Sequence, residues 1–363
     1  MSRFINKLLL TLLAFICLTL VATQAIYRCI GEFDIHDVES RYLIANEQRF
    51  LDSSQPYDAV FIGSSLTFRQ INPEVFDEFV TGQHEFRSYN LGNPGMYPMR
   101  SVSYLRYFID KAPEDLNFVF FELYILDTVS INYRSHNIMR IMNFHHYLNI
   151  TKTIAKSNYS RSYKLYMLIQ YTRALLFKEL GFGLIKYLTY QPPELNELHS
   201  EWMTNSSNGF YPKNIELEMS IYPDNITKLR DRQEKLLSNP APLNQRRQSH
   251  INKYSRDWRL EQNPFIDVLE ELIDTAAQNN IKLIYIMPPL VPQRAIEFSY
   301  PVYEMLPDGH KIDLSDPDRY PELYLHHNVF DLEHVNSTGA RYLSRYLAEE
   351  FNRIRTFESP LIH

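Results

Sequence analysis

Tyr57-Asp58-Ala59-Val60-Phe61-Ile62-Gly63-Ser64-Ser65 is the stretch on which the reading of the whole chain turns. Ala59 to Ile62 form a short unbroken apolar run that stops at a glycine, the pattern of a strand buried on both faces. Gly63 permits a tight turn. Seven residues later Asn72-Pro73-Glu74 supplies a cap, a proline for the first helical position and an acid for the first turn, so a helix starts there. Strand, glycine turn, serine and helix in that order place Ser65 beyond the carboxyl end of a strand, where open α/β sheets hold their ligands. A serine entering a helix has backbone N–H groups beside it, which suits a nucleophile whose attack creates an oxyanion.

The same rhythm continues outward. Phe86 to Leu91 reads as a second strand, closed by Gly92-Asn93-Pro94-Gly95; Met96 to Lys111 reads as a helix, and Asn117 to Leu123 as a third, almost wholly apolar strand. After a long interruption, Pro264 to Asn279 has amphipathic helical spacing, Ile281 to Met287 is another apolar strand, and Ser337 to Asn352 is a helix with Ser or Thr capping. The nearly forty residues after Pro288-Pro289 read as one long loop. Strands alternating with helices predict an α/β fold, a three-layer α/β/α sandwich on a mostly parallel sheet of flavodoxin-like type. Residues 128–263, rich in Tyr, Asn, Ser, Lys and Arg, read as a mostly helical insertion with helices near 160–188 and 226–237.

Composition narrows the class. The chain has 363 residues, 45% hydrophobic and 22% charged, which is globular. A net charge of −6 offers no basic field, so nucleic acid is not an expected partner. There are two cysteines and no Cys/His spacing of a zinc site, so no metal or cofactor is expected. His145-His146 are adjacent and would not share a helix face. Asp308, Asp313, Asp316 and Asp318 lack calcium-loop spacing. With only ten glycines in the chain, Gly63, Gly92 and Gly95 at strand ends gain weight.

Leu8 to Tyr27 carries no charge over twenty residues, enough to span a hydrocarbon core of about 30 Å. Arg3 and Lys7 precede it; Arg28 and then Glu32, Asp34, Asp37 and Glu39 follow it. The positive-inside rule predicts a single-pass anchor with the N-terminus cytoplasmic and the C-terminal body periplasmic or otherwise extracytoplasmic. Cleavage after Thr23-Gln24-Ala25, as in a signal peptide, is the alternative. The expected organisation is an anchor over 1–30, a linker or stalk over 31–56, the α/β domain over 57–127 and 264–355, and the insertion over 128–263.

A second motif completes the chemistry. Asp331-Leu332-Glu333-His334-Val335-Asn336 puts a carboxylate three residues before an imidazole, on one face if the turn is helical. The carboxylate would orient His334, and His334 would take the proton of Ser65. Ser64 reads as a turn or cap residue.

Together these motifs resemble the SGNH (GDSL-type) hydrolase superfamily, and within it the membrane-anchored exported branch that includes DltD-like proteins and polysaccharide O-acetylation proteins. The resemblance covers 57–127 and 264–352. Gly63-Ser64-Ser65 stands where the family has Gly-Asp-Ser, which makes Ser65 the nucleophile. The second block falls on Asn90 to Gly95, with Gly95 as oxyanion donor, and the Asp-x-x-His block on Asp331 and His334. The third block departs: the family's Gly-x-Asn-Asp is replaced by Glu122-Leu123-Tyr124-Ile125-Leu126-Asp127, without the donor asparagine. Losing one oxyanion donor costs about 10²–10³ in rate; Asn93 and Tyr124 are the candidate substitutes. The resemblance implies a serine esterase or O-acyltransferase acting on an acylated cell-envelope glycan, with envelope-biosynthesis proteins as partners. A lipid or lysophospholipid esterase, or a non-catalytic assembly protein of the same fold, is the alternative.

Overall fold

A computed structural model describes residues 2–30, 46–82, 85–96, 98–124, 144–156, 160–180, 208–219, 223–255 and 265–358. Along the chain these residues form α1 (Ser2–Ile30), β1 (Ala59–Ile62), α2 (Ser65–Gln70), α3 (Pro73–Phe79), β2 (Ser88–Asn90), α4 (Pro98–Ile109) and β3 (Phe118–Glu122). Next come α5 (Phe144–Lys156), α6 (Arg161–Glu179), α7 (Lys213–Met219), α8 (Pro223–Ser238), α9 (Ala241–Ser255) and α10 (Phe265–Gln278). The last elements are β4 (Lys282–Met287), α11 (Gln293–Met305), β5 (Lys311–Asp313) and α12 (Ser337–Glu358). Contacts divide the chain into two units, Met1–Arg41 with Ser130–Glu194, and Tyr42–Val129 with Leu195–His363.

The second unit is built on a five-stranded sheet in the order β2-β1-β3-β4-β5, with every neighbouring pair parallel. Its register sets Ala59 between Ser88 and Phe118, and Phe121 beside Tyr285. Because side chains alternate along a strand, Val60, Ile62, Val119, Phe121, Leu283 and Tyr285 join one buried cluster with Leu105 of α4 and Leu269 and Leu272 of α10. Ala59, Phe61, Phe120, Ile284 and Ile312 join another with Phe76 of α3 and Leu347 and Phe351 of α12. Phe61 lies 5.0 Å from the rings of both Phe76 and Phe120, and Phe120 5.1 Å from Phe351. Each such pair adds about 0.5–1.5 kcal/mol beyond area burial. Asn46 and Phe50, in the stretch read as stalk, are buried, and Asn46 Nδ2 donates to Asn90 O at 2.8 Å.

Two local expectations are corrected. The span after Pro288-Pro289 is not one loop: it holds α11, β5 and short 3-10 turns. Prolines obscured this. Pro292 occupies the α11 N-cap, where no N–H is needed, and Pro301 lies inside the helix. The cap of α12 is Asn336 rather than a Ser or Thr, its Oδ1 accepting from Gly339 N at 3.0 Å. Lys253 of α9 fastens that helix to the sheet edge: its Nζ is 2.9 Å from Asp313 Oδ2 and hydrogen-bonds Ser315 Oγ.

In the first unit, α5 and α6 pack together, with Tyr147 Oη 2.7 Å from Thr172 Oγ1 and Lys164 Nζ donating to Ala155 O at 2.8 Å. α1 carries an apolar stretch, Phe4–Thr23, of mean hydropathy 2.3, long and apolar enough to cross a membrane. Within it Thr11 and Thr19 donate to the carbonyls of Lys7 and Phe15, four residues back, so both hydroxyls are satisfied inside the helix.

Candidate active site

The turn after β1 is held from below by Glu122, the last residue of β3. Its Oε2 accepts from Ser64 N at 2.9 Å, Thr67 N at 3.0 Å and Thr67 Oγ1 at 2.7 Å, and its Oε1 accepts from Ser64 Oγ at 2.6 Å. Burial pushes this carboxyl above the usual range, against the pull of those donors. The approach is so close that a Cβ on residue 63 would lie 2.1 Å from Thr67 Oγ1 and 2.6 Å from Glu122, so only glycine fits. Ser64 is the N-cap of α2, its Oγ accepting from Leu66 N at 3.2 Å. Asn90 closes the other side: its Nδ2 donates to Thr67 O and Ile71 O at 2.8 and 2.7 Å, and its Oδ1 accepts from Gly92 N at 2.8 Å.

Ser65, half-buried at the first position of α2, is thereby fixed against His334. Ser65 Oγ lies 3.0 Å from His334 Nε2, and His334 Nδ1 lies 2.8 Å from Asp331 Oδ1. The carboxylate accepts a hydrogen bond from Nδ1–H, which leaves the Nε2 lone pair facing the serine hydroxyl. The two motifs thus meet across 269 residues.

Asp331 and His334 do not lie on a helical turn, contrary to the sequence reading. Val329 and Val335 form an antiparallel bridge, and Phe330 N donates to His334 O at 2.8 Å, so the intervening chain is a tight loop. Asp331 Oδ1 caps this loop internally by accepting from Glu333 N and His334 N at 3.0 and 2.9 Å. Gln70 Nε2 holds Glu333 O at 3.0 Å, and Arg246 of α9 bridges Leu332 O and Leu290 O. Leu290 adopts φ 60°, a left-handed conformation that costs a bulky residue about 1–3 kcal/mol and that Arg246 helps to hold.

Sequence reasoning missed the segment 208–219. Asn90 N donates to Asn208 O at 2.9 Å, Tyr211 N to Phe68 O at 3.1 Å, and Ser337 N and Oγ to Asn214 Oδ1 at 3.0 and 2.7 Å. This weave brings the buried Lys213 Nζ to 3.5 Å from Asp331 Oδ2, and Glu216 to 2.7 Å from Arg69 of α2. The available signal was Asn208-Gly209, a turn pair using one of the scarce glycines; Gly209 has φ 79° and its Cα backs onto Asn90 O.

Electrostatics follow from this enclosure. Burial raises the Asp331 pKa, but the His334 hydrogen bond and charge, with the charge of Lys213, outweigh it and hold the carboxyl well below the usual range. Burial lowers the pKa of His334, as do the charges of Lys213 and Arg69, against the opposing pull of Asp331. Burial, helped by Arg69, also lowers Lys213.

The glycine turn after β2 lies against the same place. Leu91 N donates to Phe61 O at 2.8 Å and Asn93 N to Gly63 O at 2.9 Å, while Gly95 takes φ 73°. The Asn93 side chain is 1% exposed, and neither its Nδ2 nor its Oδ1 has a hydrogen-bond partner among the described residues. Tyr124 is half-buried against the cluster of Val60 and Leu105. Among the described residues no group of three His, Cys, Asp or Glu side chains is placed to hold a metal. No family model matches the chain, and neither a curated protein nor a solved structure matches it.

Proposed function

We propose that the protein is a membrane-anchored, exported serine esterase or O-acyltransferase of the SGNH type. The observation that carries this reading is the continuous relay Ser65 Oγ, His334 Nε2, His334 Nδ1, Asp331 Oδ1 at 3.0 and 2.8 Å. The strand order β2-β1-β3-β4-β5 is the flavodoxin-like order, whose ligand crevice opens at the carboxyl ends of β1 and β3, where the order reverses. Ser65 follows β1 and Glu122 ends β3. We read the apolar clusters on the two sets of alternate strand residues as the inner faces of a three-layer sandwich.

In the proposed reaction His334 takes the proton of Ser65 as Oγ bonds to an ester carbonyl carbon. The backbone N–H groups of Ser65 and Gly95 and the Asn93 amide receive the oxyanion. The alcohol leaves with the proton from His334, and an acyl-serine remains. Water or a sugar hydroxyl, deprotonated by His334, attacks the acyl group and releases Ser65. Asn93 takes the part of the third-block asparagine, because Glu122 at that strand end is committed to bracing the turn. The substrate class, an acylated envelope glycan, and an extracytoplasmic body on α1 rest on the family resemblance and on Arg3 and Lys7 before the apolar stretch.

Turnover of p-nitrophenyl acetate by the full chain, beside Ser65→Ala and His334→Ala, tests the reading. Loss in both variants supports it; equal turnover in all three folded proteins overturns it.

A further inference from the structure

Helix α6 is apolar on more than one side. Met167, Tyr171 and Ala174 form a buried stripe. On the opposite side Leu165, Tyr166, Ile169 and Leu176 are 60, 56, 48 and 49% exposed. With Arg161 and Arg173, also exposed, they recur at three- and four-residue spacing and form one continuous outer stripe. On α5, Phe144 and Leu148, one turn apart, are also exposed. An ordinary surface helix turns a polar face outward; this one turns aliphatics and a tyrosine bracketed by arginines.

Two further observations say what covers that stripe. First, α1 packs against α6 within the same unit, and among the described side chains of α1 burial is confined to one end. Phe4 to Leu18 are exposed or nearly so, whereas Thr19 and Leu20 are half-buried and Thr23 is buried. The protein therefore first meets α1 at the C-terminal end of its apolar stretch, the depth of a bilayer surface. Second, residues 144–179 carry six Lys or Arg and a single Glu, in a chain whose net charge is −6. Basic residues interleaved with aliphatics and a tyrosine are the composition of a helix lying in the membrane interface, where cations are drawn to an anionic surface.

We infer that the α5–α6 hairpin lies on the bilayer that α1 enters, with Leu165, Ile169 and Leu176 among the acyl chains and the exposed Lys152 of α5 and Arg161 of α6 at anionic phospholipid headgroups. This rests on the reading of α1 as a membrane anchor and is independent of the catalytic reading. This unit is then held to the bilayer by a span and by a flat second contact.

The test uses the full chain with Cys17→Ser and Cys29→Ser, reconstituted in phosphatidylcholine vesicles with and without phosphatidylglycerol. Spin labels are placed one at a time by Leu165→Cys, Ile169→Cys and Leu176→Cys, with Leu237→Cys, 56% exposed on α8, as the aqueous reference. Collision with oxygen, against collision with a water-soluble nickel chelate, reports lipid contact. The expected result is a severalfold preference for oxygen at the three α6 sites and for nickel at Leu237. The preference at Ile169 should rise with phosphatidylglycerol and lose that rise in Lys152→Glu/Arg161→Glu. Nickel preference at the α6 sites overturns the inference, as does poor access to both reagents, the sign of a protein partner on the stripe. Insensitivity to lipid charge and to the charge reversal overturns the anionic headgroup assignment. A chain that fails to float with the vesicles overturns the anchor and the inference together, whereas a floating chain with aqueous α6 labels overturns the hairpin contact alone.

Discussion

Lys213 Nζ stands 3.5 Å from Asp331 Oδ2, the carboxylate oxygen that does not hold His334. Each oxygen of the acid therefore has its own cationic or N–H partner, and the lysine adds a positive charge behind the imidazole. A positive charge disfavours the imidazolium, so Lys213 lowers the His334 pKa. Lys213→Met should raise that pKa and move the acid limb of the kcat/KM profile to higher pH, lowering turnover most on the acid side. Lys213→Arg should keep the wild-type limb. A pH–rate series on the three proteins checks this, and an unmoved limb in a folded Lys213→Met variant contradicts it.

Asn93 separates catalysis from stability. Its buried amide has no partner to lose, so Asn93→Ala should leave the melting temperature unchanged or slightly raised. If the amide meets the oxyanion, kcat falls by about 10²–10³-fold with little change in KM. Thermal unfolding and steady-state kinetics on the same preparation make the comparison.

Glu122 should behave in the opposite way. Glu122→Ala strands four donors that now share one carboxylate, at about 1–3 kcal/mol for each one left buried and unpaired; a large loss of stability and of turnover is expected. Glu122→Gln keeps the shape and removes a titration. A carboxyl whose folded pKa is raised holds its proton longer in the folded state, so it contributes stability below its unfolded pKa of about 4.3 and loses it as pH rises through the raised value. The stability difference between wild type and Glu122→Gln should therefore narrow as pH rises. Denaturant titrations across that range measure it.

Asp331 has the reverse sign. Its folded pKa is depressed, so it stabilises the fold above its unfolded pKa of about 3.9, and that stability drains away as pH falls toward the folded value. Asp331→Asn should abolish this acid dependence. By presenting an amide to Nδ1 it should also cost about 10⁴-fold in kcat through the wrong tautomer.

Gly209→Ala tests the weave of 208–219 without touching the relay. A Cβ there would lie 2.1 Å from Asn90 O at a φ of 79°, so the segment must shift. The expected result is a lower melting temperature together with the same acid-limb displacement as Lys213→Met.

The sequence disclosed what is local. Ala59 to Ile62, the Gly63 turn and the Asn72-Pro73 start are short-range signals, and they fall where expected. Asp331 and His334 were found by spacing although the assumed helix is a bridged loop, because any tight three-residue turn brings such side chains together. Lys213 was invisible for the opposite reason: its partner lies more than a hundred residues on, and neither periodicity nor composition links them. Glu122 was noticed only as a missing asparagine, because an acid ending an apolar strand says nothing of the four donors that fold over it. β5 escaped because a strand of three residues, Lys311 to Asp313, is too short to carry an alternation to read.

The separation of Ser65 and His334 by 269 positions also sets an order of events. A chain still leaving the ribosome exposes Ser65 long before the loop that bears His334 exists. Until that loop and α12 settle on the sheet, Ser65 has no imidazole beside it and is an ordinary alcohol. On the proposed reading, the hydroxyl gains its base only when the loop bearing His334 folds against it.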